Sequence, residues 1–355
     1  MEALLRIEQG GYANLVVPSL LSDSGLSERD RAFATELAYG TTRMRRACDH
    51  LLDPHLRRDL DDEVRGALRV GAYQLAFLGT PPHAAVAETV AVAPRRARGL
   101  VNAVLRRVAA SLPPRWPDPP TRLSYPDWVV RHLATELGAT AAERALETMN
   151  EPPPVTRRPD GYVQDLASQW VGELIGAGPG DRVADLCAGP GGKATLVAAG
   201  GPRLVAAADL RPHRAGLVAG AARRLRAGNV AVVVADALAP PFRTGAFDRV
   251  LVDAPCSGLG VLRRRPDARW RIEEGDVERL AALQRGLVEH AAGLLRPGGV
   301  LVYSVCTFTD EEGPGQVRRF LDENPQFSVE GEPLQTWPHR DDADAFFAVR
   351  LRRMR

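Results

Sequence analysis

Two cysteines stand where apolar runs give way to polar sequence: Cys256 in LVDAPCSGLG and Cys306 in LVYSVCTFTDEEG. Taken alone, Cys306 reads as a small core residue, because inert buried cysteines outnumber reactive ones. Two thiols at two strand ends, with Asp253 close to one of them, raise the alternative that they are brought together to do chemistry. Composition singles out a further residue. Of 46 basic residues only Lys193 is a lysine, so a chain that writes arginine elsewhere needs a compact ammonium there. The other two cysteines, Cys48 and Cys187, read as core.

Lys193 lies in DLCAGPGGKAT, a glycine-rich loop between an apolar strand and a helix. Glycines there let the backbone approach a ligand and turn N–H groups toward its polar atoms. The P-loop spacing fails, because Cys187 stands at the first glycine position and Ala194 follows the lysine. The loop does fit GxGxxA through Gly189, Gly191 and Ala194, with Asp209 after the next strand at the distance of a ribose-binding acid. That combination suits a dinucleotide or S-adenosylmethionine (SAM). The bland readings are that Asp209 caps the helix opening LRPHR and that Asp236 closes a turn. The candidate cofactor set is Cys187, Ala188, Gly189, Pro190, Gly191, Gly192 and Lys193, together with Asp209, Arg214, Asp236 and Asp253.

Positioning these residues requires strands. From about residue 165 the runs RVADLCAG, RLVAAADL, VAVVVADAL, FDRVLVDAP and GVLVYSVC alternate with helical segments. Such alternation implies βαβ crossovers and a mostly parallel, doubly wound sheet that binds ligands at the carboxyl ends of its strands. Gly189, Asp209, Asp236, Cys256 and Cys306 all fall at those ends. The first 110 residues are different. SERDRAFATELAYGTTRMRRACDHLLD has helical spacing with Ser27 as N-cap, and three further segments complete a helical bundle. PPRWPDPP at 113–120 reads as a stiff linker, PDWVVRHLATELGATAAERALETMN as helical, and EPPPVTRRPDG as a second break.

The chain has 355 residues, 45% of them hydrophobic, and a net charge of +2. No apolar run reaches the length of a membrane span, and four cysteines without CxxC pairs argue against a zinc module or a disulfide scaffold. A cytoplasmic, monomeric protein with no metal and no membrane contact is expected. Four basic clusters, RMRR at 43, RRAR at 95, RRLR at 223 and RRRPDARWR at 263, raise the odds of a phosphate-bearing partner, although each alone reads as a solvated helix face.

LVDAPCSG is not a hydride-transfer arrangement. It resembles motif IV of the RNA cytosine-5 methyltransferases of the RsmB/Sun (NOP) type. DLCAGPGGK is similar to that family's SAM loop and VYSVCT to its YSTCS motif. QDLASQ and GLGVLRRRPDARWR also match, and LGTPPHAAVAETVAVAPRRARGLVNAVLRRV resembles a NusB-like domain. The resemblance covers almost the whole chain in the family's order. It implies an all-α NusB-like RNA-binding domain over 1–125, a helical and Pro-rich connector over 126–160, and a Rossmann-like α/β SAM-dependent methyltransferase domain over 161–355. It further implies 5-methylcytosine formation in 16S ribosomal RNA. Cys306 would be the nucleophile adding to cytosine C6, Cys256 would assist release, and Asp253 would hydrogen-bond the base near N3. Lys193 would stabilise charge or lower a thiol pKa.

A target base must leave its stack to reach two cysteines. Arg263, Arg264, Arg265 and Arg269 are candidates for phosphate contacts beside the pocket, and Trp270 for stacking. Three departures from the family stand out: the short proline-rich joint after NEPPPVT, Val305 with EEG in and after the second cysteine motif, and Ala345 in DAFF. The alternatives are the same chemistry on tRNA or another RNA, a non-catalytic NusB-like antitermination factor, and an NAD-dependent oxidoreductase.

Overall fold

The computed structural model describes all 355 residues, in two compact units. The first comprises Met1–Pro152 and Leu262–Ile272; the second comprises Pro153–Val261 and Glu273–Arg355. No helix is long and apolar enough to cross a membrane.

The first unit is helical. Ser27 caps the helix Glu28–Arg43 by accepting from the Asp30 N–H, and Asp61 caps Asp62–Ala76 in the same way. Its core gathers Cys48, Leu52, Leu68, Val101, Leu105 and Val108, each fully buried. The helical stretch after the proline-rich joint is two helices, Asp127–Leu137 and Ala139–Thr148, broken at Gly138, whose φ of +76° suits glycine. Both belong to the first unit, which runs to Pro152.

The excursion Leu262–Ile272 corrects one expectation. Arg269 is completely buried, its guanidinium 3.9 Å above the Tyr125 ring. It donates to the carbonyls of Arg43 and Ser124, the amide oxygen of Asn150 and the Tyr125 hydroxyl, all within 3.2 Å. Arg43 and Ser124 end helices, where carbonyls lack partners, and a guanidinium's five donors satisfy several at once. Arg263 is buried as well, and the Trp270 indole N–H donates to the Thr42 carbonyl at 2.7 Å. Arg263 and Arg269 are therefore structural residues, not phosphate contacts. Arg265 is exposed.

The second unit is built on one sheet. The five expected strands form as β1 (Arg182–Asp185), β2 (Leu204–Asp209), β3 (Val230–Val234), β4 (Phe247–Asp253) and β5 (Leu295–Val305). They are mutually parallel in the order β3-β2-β1-β4-β5. Three C-terminal strands, β6 (Phe327–Val329), β7 (Leu334–Gln335) and β8 (Phe347–Arg353), extend the sheet antiparallel, with β8 against β5.

Period-2 alternation sends side chains to opposite faces. Val183, Val205, Leu251 and Val302 pack against the helices Leu166–Leu174, Gly192–Ala199 and Pro212–Arg224. Ala184, Val250, Val252, Leu301 and Tyr303 pack against Glu274–Leu294 and Pro314–Glu323. Chain direction along the sheet reverses between β1 and β4, the switch point at which doubly wound sheets leave a ligand crevice.

Candidate active site

The carboxyl ends of β1 and β4 supply the two acids at that crevice, Asp185 and Asp253. Asp253 pairs in register with Ser304 of β5, whose hydroxyl donates to one Asp253 oxygen at 2.8 Å. The ammonium of Lys193 donates to the other at 2.7 Å and lies 5.1 Å from the Phe346 ring centroid. Lys193 is thus brought to a carboxylate, and neutralising Asp253 is its visible work. A compact ammonium that must reach one oxygen from a buried stem explains the sole lysine better than a planar guanidinium would.

The loop between β1 and the helix Gly192–Ala199 brings the other acids together. Gly191 has φ +108°, which only glycine adopts comfortably. Gly189 leaves no room for a side chain, since a Cβ would stand 2.5 Å from Asp209 Oδ2. The Gly189 N–H donates to that oxygen at 3.0 Å, and the Arg214 guanidinium donates to the Gly189 carbonyl. Asp209 is buried at the end of β2 with its other oxygen accepting the Arg211 N–H at 3.0 Å. Asp236 follows β3, where the preceding Ala235 N–H donates to the Asp209 carbonyl at 3.1 Å; it is exposed, and its carboxylate closes a turn by accepting the Leu238 N–H at 2.9 Å.

Asp185 was not singled out from the sequence. It is 2% exposed, and neither carboxylate oxygen has a hydrogen-bond partner. Burial pushes its pKa up to about 7, with the negative charge of Asp253 adding and Lys193 and the nearby Cys187 N–H opposing. It lines a cavity of about 160 Å³ together with residues 187–190, Gly192, Lys193 and Asp253. Tyr162 and Gln164, also unforeseen, complete the wall. They sit on a hairpin closed by an Arg157–Val163 bridge, and buried Arg158 ties it to the glycine loop by donating to Gln164 Oε1 at 3.0 Å and the Gly192 carbonyl at 2.6 Å. A two-residue bridge has no periodicity to read, so only the buried-charge pattern of the folded chain reveals it.

The two candidate thiols meet. Cys256 Sγ lies 3.2 Å from Cys306 Sγ, both are free, and the Cys306 N–H donates to Cys256 Sγ at 3.3 Å. The Cys306 carbonyl accepts the Gly260 N–H at 3.0 Å, and Gly260 packs so tightly that a Cβ would stand 1.9 Å from the Ala345 carbonyl. The hydrogen bond to Cys306, then burial, then the charges of Cys306 and Glu312 push the Cys256 thiol well above its ordinary pKa. Burial also raises Cys187 and Cys48, which leaves both as inert thiols.

Comparison with known proteins decides the class. The family described as 16S rRNA methyltransferase RsmB/F matches residues 174–352, and the NusB family matches residues 1–110. The chain belongs to the RsmB/F family of methyltransferases. It is 40% identical to the ribosomal RNA small subunit methyltransferase B of Thermus thermophilus, over 99% of this chain and 96% of that one. It is 30% identical to the protein of the same name from Yersinia pseudotuberculosis, over 97% of this chain and 95% of that one. The crystal structure of PH0851 shares the fold, with a TM-score of 0.80 at 22% identity, over 99% of this chain and 96% of that one.

The RsmB/F enzymes are SAM-dependent rRNA methyltransferases, and the crevice fits that cofactor. SAM carries an ammonium and a sulfonium, and an orphaned buried carboxylate at Asp185 suits a cation. Asp209, held by Gly189 and Arg211 but placed at a strand end, suits a ribose diol.

Proposed function

We propose that this chain is an RNA (cytosine-5)-methyltransferase that modifies 16S rRNA through a transient bond between Cys306 and C6 of the target cytosine. The observation that carries the reading is the sulfur pair, 3.2 Å apart, with the proton held on Cys256. A thiol raised in this way is a poor source of thiolate, so the attack is assigned to its neighbour Cys306 after β5.

Cytosine C5 is a weak nucleophile. A Cys306 thiolate adding to C6 forms an S–C6 bond and moves the C5–C6 electron pair to C5, splitting a hard step into easier ones. Bound SAM supplies the methyl group. As the addition places negative charge on the ring, N3 takes up a proton from solvent. Asp253, its side chain 29% exposed and its charge balanced by Lys193, would accept the hydrogen bond of that N3–H until collapse of the adduct returns the proton to solvent.

Release is where Cys256 acts. Once Cys306 is bonded to carbon, its charge and its hydrogen bond no longer hold the proton on Cys256. Cys256 then loses its proton to solvent and takes the one on C5. The C5–H electron pair restores the C5–C6 double bond, and the S–C6 pair leaves with Cys306. The thiols thus exchange roles as the adduct forms and collapses.

Bisulfite sequencing of 16S rRNA from a strain lacking the gene tests the assignment. One cytosine that resists deamination in the parent becomes sensitive in the deletion, and the purified chain with SAM restores it. An unchanged map, or restoration of a different RNA only, overturns the substrate assignment.

A further inference from the structure

Behind the two cysteines lies a carboxylate that the chemistry above does not use. Glu312 is completely buried, seven residues after Val305 ends β5, and none of its hydrogen-bond partners is a cation. One oxygen accepts the Ser257 N–H at 2.8 Å and the Gln284 amide at 3.0 Å. The other accepts the hydroxyls of Ser257 and, at 3.0 Å, of Thr309. Buried charge without a counter-ion is costly unless hydrogen bonds saturate it, and four donors do so here.

The donors are the neighbours of the thiols. Ser257 follows Cys256, and the second hydrogen of the Gln284 amide goes to the carbonyl of Pro255 at 2.9 Å, so Cys256 is held from both sides. Thr307 follows Cys306, and its hydroxyl lies 2.9 Å from that of Ser257. Each hydroxyl has one proton. Since Ser257 spends its own on Glu312, Thr307 donates to Ser257, and the chain Thr307–Ser257–Glu312 has a fixed direction. Gly313 packs closely in this turn: a Cβ there would stand 3.2 Å from the Thr309 carbonyl and 3.3 Å from the Phe347 ring.

We propose that Glu312 is the positioning residue of the two-thiol centre: it clamps the Cys256 loop through Ser257 and Gln284 and the Cys306 loop through Thr309 and Thr307, and so sets the separation of the sulfurs. The inference rests on the covalent reading above. Cys256 is gripped more firmly than Cys306, so releasing the clamp misplaces chiefly the thiol that acts in adduct collapse.

Glu312→Gln keeps the volume and places an amide donor against donors that need an acceptor. With 16S rRNA and SAM, it should lower kcat by about 100-fold, the scale of a catalytic group displaced by an ångström. SAM affinity should stay unchanged by calorimetry, and a covalent protein–RNA adduct should accumulate as a shifted, denaturant-resistant band, as in Cys256→Ala. A merely structural role would lower SAM affinity and activity together and yield no adduct, which overturns the proposal, as does wild-type turnover. Cys256→Ala run in parallel separates the two claims. If it forms no adduct, the covalent reading fails and takes this one with it; if it does while Glu312→Gln does not, only the clamp is wrong. Should Glu312→Gln fail to fold, Ser257→Ala decides by the same band: adduct supports the clamp, and normal turnover without it overturns the proposal.

Discussion

Cys256 Sγ stands 3.2 Å from Cys306 Sγ, and the two are not equivalent: the Cys306 N–H points at the Cys256 sulfur, while the Cys306 carbonyl is taken by Gly260. The Cys256 sulfur therefore accepts a backbone hydrogen bond from the strand end that carries Cys306, and it is the backbone of Cys306 that the Gly260 turn holds. The asymmetry is consistent with the proposed division of labour, in which Cys306 attacks and Cys256 handles the proton.

Substitution of the thiols should split accordingly. Cys306→Ala removes the proposed nucleophile, and methyl transfer should fall by roughly 10⁴-fold or more, the scale seen when a covalent nucleophile is deleted. Cys256→Ala should still form the S–C6 bond and fail to collapse it, leaving protein and RNA joined on a denaturing gel. Normal turnover by Cys306→Ala, measured with methyl-labelled SAM, would reverse the assignment.

Asp185 should make cofactor binding proton-linked. Its pKa is raised to about 7 in the folded chain from an ordinary 3.8, so across that window the folded state holds a proton that the unfolded state has released. Stability from this group accordingly falls as pH rises from about 4 to about 7. A bound cation favours the carboxylate, so SAM should expel this proton, and its affinity should climb with pH to about 7 and then level off. Calorimetry in two buffers of different ionisation enthalpy measures the release. Asp185→Asn should abolish it, weaken SAM above pH 7, and raise the melting temperature of the unliganded chain there.

Lys193→Met leaves Asp253 with Ser304 alone. The pair is buried on the lysine side, at 9% exposure, and open on the acid side, at 29%. The loss should be about 2–3 kcal/mol, below the range for a fully buried pair because water reaches Asp253. Lys193→Arg should recover stability without recovering kcat, because a fork of donors cannot replace an ammonium aimed at one oxygen. Denaturant melts alongside single-turnover methyl transfer separate the two effects, and equal recovery of both would remove Lys193 from the chemistry.

The parts of this site that were legible in the sequence are those carried by local pattern. Five β-branched runs gave five parallel strands, and the residues at their ends, Gly189, Lys193, Asp253, Cys256 and Cys306, reached one crevice or one sulfur pair. Asp236 stands at the end of β3 beside Asp209, where its carboxylate also closes a turn, and the sequence could not tell those two roles apart. Asp185 and Glu312 were invisible for another reason. Their significance is an environment, a buried carboxylate without partners in one case and with four donors in the other, and no spacing encodes that. β8 was hidden because its pairing with β5 joins residues far apart in the chain.

Arginine in RRRPDARWR tests the same distinction on the surface. Arg269→Met removes a cation that satisfies two helix-end carbonyls, an amide oxygen and a phenol. Burial lowers its pKa to about 10, still far enough above neutrality to keep the charge. Stranding those acceptors should cost about 3 kcal/mol in denaturant melts, while the RNA affinity of the folded fraction stays unchanged. Arg265, exposed in the same segment, should behave in the opposite way. Arg265→Ala should leave stability intact, weaken RNA binding, and reduce the slope of log affinity against log salt by about 1. A changed slope in Arg269→Met, or an unchanged one in Arg265→Ala, would mean that burial does not decide which arginines meet phosphate.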